Sequence, residues 1–417
     1  MAYLCDMQLS SIKFASLLLV ILCNLSGWSQ TSTSAFPVIK ITTSEDIPNE
    51  PKVMAQFSYS DGKVNIESKI GIELRGNTAL KFPKKSYDLE FRLDSLPNES
   101  QDFSLAGLRN DDDWILNSLY NQPLMLRSQV AIELWLVMRG KNTASKNAQF
   151  GARQTYVEVF LNDQYQGLYG LMEQVDRKQL GVAKMEGDTV RGQIYKANAS
   201  DVATSFKESP LFKNALPNWA GFQMKYPYED YTSHWDDLAA FVRFVSKSTT
   251  EDFVAEIGKR LDLENAIDYY IFMNLLHATD NWTKNYFLAR QSEATPYYFV
   301  PWDLDGVMGN FGDGMRISGT NKVFSNNLFD RLLAEDPQNF KARLKQRWKD
   351  LQSSTLSYET ISSRIKVYYT TLNENDLYQR EQSTWQQGRS PEEELEFITT
   401  WLLNRITYLN GYFESLN

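Results

Sequence analysis

Hydrophobic residues in the first part of the chain alternate with polar ones in the manner of β-strands. Tyr87, Leu89 and Phe91 fall on one face of a predicted strand. Val53–Tyr59 alternates more weakly and is followed by an Asp-Gly pair, which is typical of a hairpin turn. We therefore expect residues 36–95 to be mainly β.

A hairpin pattern and one long helix complete this β-rich part. Thr155–Leu161 and Gly167–Met172 are apolar, β-prone runs separated by an Asn-Asp turn. Before them, Pro123 stands near the first turn of a helix that is predicted to run to about Met138. Residues 183–235 are rich in Tyr, Asn, Ser and Pro, and we interpret them as an irregular insertion.

From Trp235 onward the apolar pattern changes to the period of an amphipathic helix. The first helical stripe consists of Leu238, Phe241, Val242 and Val245. Asp262 is suited to N-cap a helix from Leu263 to about His277. The last helix is predicted to begin at a Ser-Pro-Glu-Glu capping sequence after Arg389 and to run to about Phe413.

Two short β runs interrupt this helical part. Tyr286–Arg290 and Tyr297–Val300 are split by a polar segment that ends in Pro296, so they predict a hairpin. The order of elements indicates an α+β fold. We predict a β-rich N-terminal lobe over residues 31–235 and a mainly helical C-terminal lobe over residues 236–417, which carries this hairpin.

One long apolar run, Phe14–Cys23, lies near the N-terminus behind a short segment that carries Lys13. The run is too short for a comfortable membrane span, so we interpret residues 1–30 as a secretory signal peptide, with an uncleaved anchor as the alternative. Cys5 and Cys23 both fall inside this segment. The mature chain would be exported to the periplasm, cell surface or extracellular space, with no disulfide and no stable membrane span.

Composition excludes several classes of function. Lys plus Arg number 43 and Asp plus Glu number 52, giving a net charge of −9, which argues against a nonspecific nucleic-acid binder. His234 and His277 are the only histidines, the cysteine spacing fits no zinc motif, and no His-Glu-x-x-His string occurs. A metal would therefore have oxygen ligands, which favours Mg²⁺, Mn²⁺ or Ca²⁺.

The candidate chemistry lies around the predicted hairpin. Asp280 follows the helix that ends near His277, and Asn285 opens the first strand of the hairpin. Asp303 and Asp305 close the returning strand. Because a hairpin brings its two ends side by side, we expect Asn285 and Asp303 to be able to share one ion.

This arrangement is suited to phosphoryl transfer. In that chemistry a carboxylate orients the acceptor hydroxyl, while an Asn and an Asp hold Mg²⁺ against the triphosphate. The spacing from Asp280 to Asn285 is that of the protein-kinase catalytic loop, and Asp303-Leu-Asp-Gly306 stands where Asp-Phe-Gly would follow. The alternative is that these Asp and Asn residues only cap turns.

Basic residues near the first strands are candidates to contact phosphate. Arg75-Gly-Asn-Thr78 joins two predicted strands. Lys85 has the strand parity of Tyr87, so it should point toward the buried face, where a lysine needs an anionic partner. Glu133 and Glu173 are candidate partners, and an exposed cluster of lysines is the alternative.

Taken together, these motifs resemble the spore coat protein H (CotH) kinase family over about residues 70–330. The motifs that carry the resemblance are Leu74-Arg-Gly-Asn-Thr78 with Pro83-Lys-Lys-Ser-Tyr87, Tyr156–Leu161 with Gly167–Asp176, Ile194-Tyr-Lys196, Asp280-Asn281 with Asn285, and Pro301-Trp-Asp-Leu-Asp305. The sequence departs from the family in one respect, because Ala79 follows Thr78 where the family often has Ser.

The resemblance implies an atypical protein-kinase-like fold that binds ATP with Mg²⁺ or Mn²⁺ and phosphorylates Ser or Thr of secreted or surface proteins. It implies that Asp280 is the catalytic Asp and that Asn285 and Asp303 are metal ligands, with Asp305 a second ligand or a support. The residues that it assigns to the nucleotide site are Arg75, Lys84, Lys85, Glu173 and Lys196.

Two other functions stay open at the level of sequence. A non-catalytic surface or scaffold pseudokinase is consistent with export, because ATP is scarce outside the cytoplasm, but the presence of Asp280, Asn285 and Asp303 together argues against it. A glycosidase could use two of the carboxylates, but the paired Asn and the upstream basic residues have no role in that reaction.

Overall fold

The structure is a computed structural model. The residues that it describes are 35–93, 96–139, 150–211, 218–227, 234–386 and 388–416. The segment 1–30, which we interpret as a signal peptide, lies outside these residues. Within them, every helix is too short or too polar to cross a membrane.

In the part of the chain that the structure describes, most strands lie in the first half and most helices in the second. The strands are β1 (Val38–Thr42), β2 (Val53–Ser60), β3 (Asn65–Arg75), β4 (Ser86–Leu93), β5 (Leu96–Ser100), β6 (Phe103–Ser104), β7 (Asn110–Asp111), β8 (Asp113–Asn117), β9 (Gln154–Leu161), β10 (Gln164–Glu173), β11 (Gln193–Ala197), β12 (Asn218–Trp219), β13 (Phe222–Tyr226), β14 (Tyr286–Arg290) and β15 (Tyr298–Pro301). The helices are α1 (Arg127–Arg139), α2 (Asp236–Lys247), α3 (Thr250–Arg260), α4 (Leu263–Leu276), α5 (Asn327–Glu335), α6 (Phe340–Gln352), α7 (Tyr358–Glu374), α8 (Leu377–Trp385) and α9 (Pro391–Glu414).

Seven of these strands close into a barrel. Their order is β3-β2-β1-β9-β10-β8-β4, and β4 pairs again with β3, so the sheet has no free edge except where β5 joins β4. The β1–β9 pairing is parallel, and the others in the ring are antiparallel. Tyr87, Leu89 and Phe91 are buried in the barrel core, as their alternation predicted.

A second sheet combines strands from before α2 with strands from after α4. Its order is β12-β13-β11-β14-β15. Residues 183–235, which we interpreted as an irregular insertion, supply β11, β12 and β13. The interpretation was therefore wrong for this segment. Four of the five β11 residues are buried, which removes the alternation that would have indicated a strand. The sheet joins strands from both sides of the predicted lobe boundary at residue 235.

Helix ends follow the capping residues that the sequence provides. The Asp262 side chain accepts a hydrogen bond from the backbone N–H of Asn265 at the start of α4. The side chain of Ser390 accepts one from the N–H of Glu393 at the start of α9. The first helix was predicted to begin near Pro123 but begins only at Arg127, because Met125 has a φ of 53° and so breaks the helical path.

The cap of α4 gives a prediction for stability. Replacing Asp262 with Ala should lower the free energy of unfolding by about 1 kcal/mol, because the N–H of Asn265 loses its acceptor. Urea denaturation of the variant measures this change. Glu374→Ala is the control, because it removes an exposed carboxylate at the other end of a helix. An unchanged midpoint for the Asp262 variant would contradict the role assigned to the cap.

Candidate active site

A cavity of about 570 Å³ opens where the barrel, the second sheet and the loop after α4 meet. Of the nine residues assigned to the site from sequence, those that line the cavity are Arg75, Lys196, Asp280, Asn285, Asp303 and Asp305. The structure therefore brings the proposed catalytic Asp, the proposed metal ligands and two of the proposed phosphate-binding cations into one concave space.

The loop after α4 presents Asp280 to this cavity. His277 ends the helix with a φ of 53°, and its N–H bonds back to the carbonyl oxygen of Asn274. The carbonyl of Asp280 then accepts hydrogen bonds from the N–H groups of Thr283 and Lys284, which closes a tight turn. The Asp280 side chain is 40 % exposed and lies 2.9 Å from the Lys284 ammonium.

The two ends of the hairpin are adjacent, as predicted. The N–H of Trp302 donates to the carbonyl oxygen of Asn285 at 3.0 Å. The Asn281 amide joins both ends, because its Nδ2 donates to the carbonyl oxygens of Asn285 (2.6 Å) and Trp302 (2.8 Å). Asn285 and Asp303 both have a φ of 56°, a left-handed conformation that Asn and Asp tolerate best among non-glycine residues and that is common at functional sites.

Asp305 is oriented by a residue from a distant part of the sequence. The Nδ2 of Asn121, in the turn before α1, donates to Asp305 Oδ2 and to the carbonyl oxygen of Gly312. Asn310 completes the connection by donating to the carbonyl oxygens of Asp305 (2.8 Å) and Asn121 (3.1 Å). One carboxylate oxygen of Asp305 is thus fixed by an amide donor.

The ionised forms of Asp303 and Asp305, the two carboxylates after the hairpin, are electrostatically unfavourable next to each other. The pKa of Asp305 is raised to about 8, mainly by burial and then by the neighbouring Asp303. Desolvation by the surrounding protein atoms also raises the pKa of Asp303, although its side chain is exposed to the cavity. Lys196 and Arg75 oppose this shift, and Asp280 adds to it. Such a pair of oxygen donors favours a hard divalent cation.

The carboxylates of the three candidate site aspartates do not form a close cluster. Within the described residues, the set of three acidic groups that lie within 4.8 Å of one another is formed by Asp102, Asp111 and Asp112 near the barrel, and no such set contains Asp280 with Asp303 and Asp305. Asp280, Asp303 and Asp305 therefore do not present three carboxylate oxygens to a single point.

Two cations lie close to the Trp302 ring. The Arg75 guanidinium is 5.7 Å from the ring centroid and the Lys196 ammonium is 6.0 Å from it. Arg75 also pairs with both oxygens of Asp88, at 2.7 and 2.8 Å. The pKa of Lys196 is lowered to about 8, mainly by burial and then by the nearby Arg75, while Asp303 opposes the shift. Both cations also lower the pKa of Asp303, so their positive charge acts on this metal-ligand candidate.

Lys84 lies outside the cavity lining. It is fully buried, and its ammonium donates to Glu381 Oε1 at 2.8 Å and to the carbonyl oxygen of Leu168 at 2.7 Å. Glu381 belongs to α8, so Lys84 connects the barrel to the C-terminal helices. The lysine that is buried with a carboxylate partner is thus Lys84, whereas the sequence suggested Lys85 with Glu133 or Glu173.

Lys85 and Glu173 also lie outside the cavity lining. The Lys85 ammonium donates to the carbonyl oxygen of Leu80 at 2.7 Å, and the side chain is only half-buried. The prediction from strand parity was wrong, because β4 begins at Ser86 and the alternation does not extend to Lys85. Glu173 is fully buried and pairs with Arg153 at 2.7 Å.

Sequence reasoning missed Lys284 and Asn121 as site residues. Lys284 could have been predicted, because a cation four residues after Asp280 in the same turn can pair with its carboxylate. Asn121 had none, because 184 residues separate it from Asp305 and an Asn before a helix most often serves as a cap.

A comparison with known families agrees with this geometry. The family described as CotH kinase protein matches residues 72–409, so the chain belongs to the CotH kinase family. The inner spore coat protein H of Bacillus subtilis (strain 168) is 22 % identical over 381 residues, which cover 89 % of this chain and 94 % of that protein. The resemblance seen in the motifs is confirmed, and the family's description points to a kinase-like activity.

Proposed function

We propose that the protein is an exported kinase of atypical protein-kinase-like fold, which transfers the γ-phosphoryl group of ATP to Ser or Thr of secreted or cell-surface proteins. The observation that carries the proposal is the adjacency of Asn285 and Asp303 at the hairpin ends, in the same cavity as Asp280. Membership of a kinase family over residues 72–409 supports it. The apolar segment at the N-terminus supports export.

The residues present fit a divalent cation. Asn285, Asp303 and Asp305 offer one amide and two carboxylate groups, which are the donors that Mg²⁺ and Mn²⁺ prefer. The mutual repulsion of Asp303 and Asp305 is the kind of cost that a cation relieves. A bound cation would neutralise charge on the phosphate oxygens of ATP.

Asp280 is placed to act on the acceptor. Its exposed carboxylate accepts a hydrogen bond from the Ser or Thr hydroxyl, orients the hydroxyl oxygen, and takes its proton. A bond forms between that oxygen and the γ-phosphorus while the bond to the β,γ-bridging oxygen breaks, and ADP leaves with the bridging oxygen. Lys284, Arg75 and Lys196 offer positive charge to the phosphate oxygens in this step.

Nucleotide binding in the presence of Mn²⁺ tests the proposal. Replacing Asp303 with Asn should weaken Mn²⁺-dependent binding of a non-hydrolysable ATP analogue by at least about tenfold, the lower bound for disturbing even an outer partner of a metal site. Isothermal titration with and without Mn²⁺ measures the effect.

The control variant is Asp102→Asn, which alters the separate acidic cluster near the barrel. It should leave Mn²⁺-dependent binding unchanged. If Asp102→Asn abolishes the metal dependence and Asp303→Asn does not, the metal site lies elsewhere. If the unmodified protein binds no nucleotide with either Mg²⁺ or Mn²⁺, the proposed function is wrong.

A further inference from the structure

Asn121 lines the cavity from the turn before α1, and its side-chain amide is held in one orientation. The Nδ2 atom donates to the Asp305 carboxylate and, at 2.8 Å, to the carbonyl oxygen of Gly312. A backbone carbonyl can only accept hydrogen bonds, so the nitrogen of the amide, and not its oxygen, must face these two groups. Both hydrogens on Nδ2 are therefore engaged.

The turn that carries Asn121 is fixed by its own hydrogen bonds. The buried side chain of Gln122 accepts a bond from the N–H of Ser128 at 3.0 Å and donates to the Ser128 hydroxyl at 3.1 Å. Within the turn, the N–H of Gln122 donates to the carbonyl oxygen of Leu119 at 3.1 Å, and the N–H of Met125 donates to that of Gln122 at 2.7 Å. These bonds give Asn121 the rigid support that a residue needs to position another side chain.

The loop that carries Asp305 is packed closely against this turn. Gly314 has a φ of 91°, and a Cβ atom there would lie only 3.2 Å from the carbonyl oxygen of Asn121. Asn310 joins the same two segments through the carbonyl oxygens of Asp305 and Asn121. The place of the amide relative to the carboxylate is therefore set from both sides.

The hydrogen bond from Asn121 restricts the carboxylate without using it up. It engages Oδ2 of Asp305, and a carboxylate has further lone pairs that can bind a cation. Carboxylates that ligate metals are usually hydrogen-bonded in this way by residues that do not touch the ion. Because rotation of the carboxylate is already restricted, less conformational entropy is lost when a cation binds.

We propose that Asn121 is a positioning residue of the metal site, which holds the Asp305 carboxylate in the orientation that binds a divalent cation and so sets the affinity for that cation. The inference rests on the proposed function, because that function requires the cation. It assigns part of the metal affinity to the turn before α1, a segment 184 residues away from Asp305 in the sequence.

The test is the affinity for Mn²⁺, measured by electron paramagnetic resonance of the free ion in the presence of a saturating non-hydrolysable ATP analogue. Asn121→Ala removes the amide, and Asn121→Leu replaces it with an apolar group of similar size that leaves no space for a water. Asn274→Ala is the matched control. The buried Asn274 amide fastens the far end of the same loop through the N–H and the carbonyl of Phe324, at 2.7 and 3.1 Å, rather than through a carboxylate.

Both Asn121 variants should raise the dissociation constant for Mn²⁺ by about 10–100-fold, the usual cost of losing an outer partner of a metal ligand. Asn274→Ala should leave this constant unchanged, although the loss of buried hydrogen bonds should lower its melting temperature. Binding is measured at a temperature at which the melting curves show every variant to be folded.

Two results would overturn the inference while leaving the proposed function intact. One is an unchanged affinity of the Asn121 variants for Mn²⁺ when the unmodified protein binds the ion. The other is an equal loss of affinity in Asn274→Ala, which would mean that Asn121 only fastens the loop. If the unmodified protein binds no Mn²⁺ together with the ATP analogue, the proposed function itself fails and the inference fails with it.

Discussion

Replacing Asp280 with Ala is expected to lower the turnover number for phosphoryl transfer by about 10²–10⁴-fold, the range for loss of a general base. The carboxylate is exposed to the cavity, and its one ion-pair partner among the described residues is Lys284 on the surface of the same turn. The side chain therefore contributes little to folding. Steady-state kinetics with a phosphate-acceptor protein, together with a melting curve, measures both quantities.

The variant should still bind the ATP analogue with Mn²⁺, because Asp280 is not one of the proposed metal ligands. Asp252→Ala, which removes an exposed carboxylate from α3, is the control and should keep full activity. If the Asp280 variant retains normal turnover, or if it loses turnover only because it unfolds, the role assigned to Asp280 is wrong.

Replacing Lys84 with Ala is expected to lower the free energy of unfolding by about 3–5 kcal/mol, as is usual when one partner of a buried ion pair is removed. The substitution leaves the Glu381 carboxylate, which is 2 % exposed, without its counterion. It also removes the donor to the carbonyl oxygen of Leu168. Denaturant unfolding followed by tryptophan fluorescence measures the loss.

The double variant Lys84→Met with Glu381→Leu tests whether Lys84 stabilises the fold or binds the nucleotide. Two apolar side chains of similar size avoid the isolated buried charge, so part of the stability should return. The rest stays lost, because the N–H and the carbonyl of Leu168 no longer have their side-chain partners. Affinity for the ATP analogue should match that of the unmodified protein, because Lys84 lies outside the cavity lining. A stable Lys84 variant with much weaker nucleotide binding would show that Lys84 belongs to the nucleotide site.

Features set by neighbouring residues could be predicted from the sequence. Asp262 caps α4, and the two β runs after it form the hairpin β14–β15. The meeting of Asn285 and Asp303 follows from that hairpin, because any hairpin joins its ends whatever the rest of the fold does. The part of the site that is local in sequence was therefore predictable from spacing.

Features set by long-range packing could not be predicted in this way. Lys84 and Glu381 are separated by 297 residues, and the periodicity of either segment says nothing about the other. The closure of the barrel depends on β4 pairing with both β3 and β8, which no local pattern specifies. The bulge where β13 pairs with β11 is also a long-range feature, because the alternation of Phe222, Met224 and Tyr226 does not reveal it.

The most direct test of the central claim is the identity of the group transferred. The protein is incubated with Mn²⁺, ATP carrying ¹⁸O on the γ-phosphoryl group, and a cell-surface protein extract, and modified residues are identified by mass spectrometry. We predict a heavy phosphoryl group on Ser or Thr residues with the unmodified protein, and none with Asp280→Ala. Transfer of AMP, or the absence of any modification from a protein that binds ATP and Mn²⁺, would contradict the assignment as a kinase.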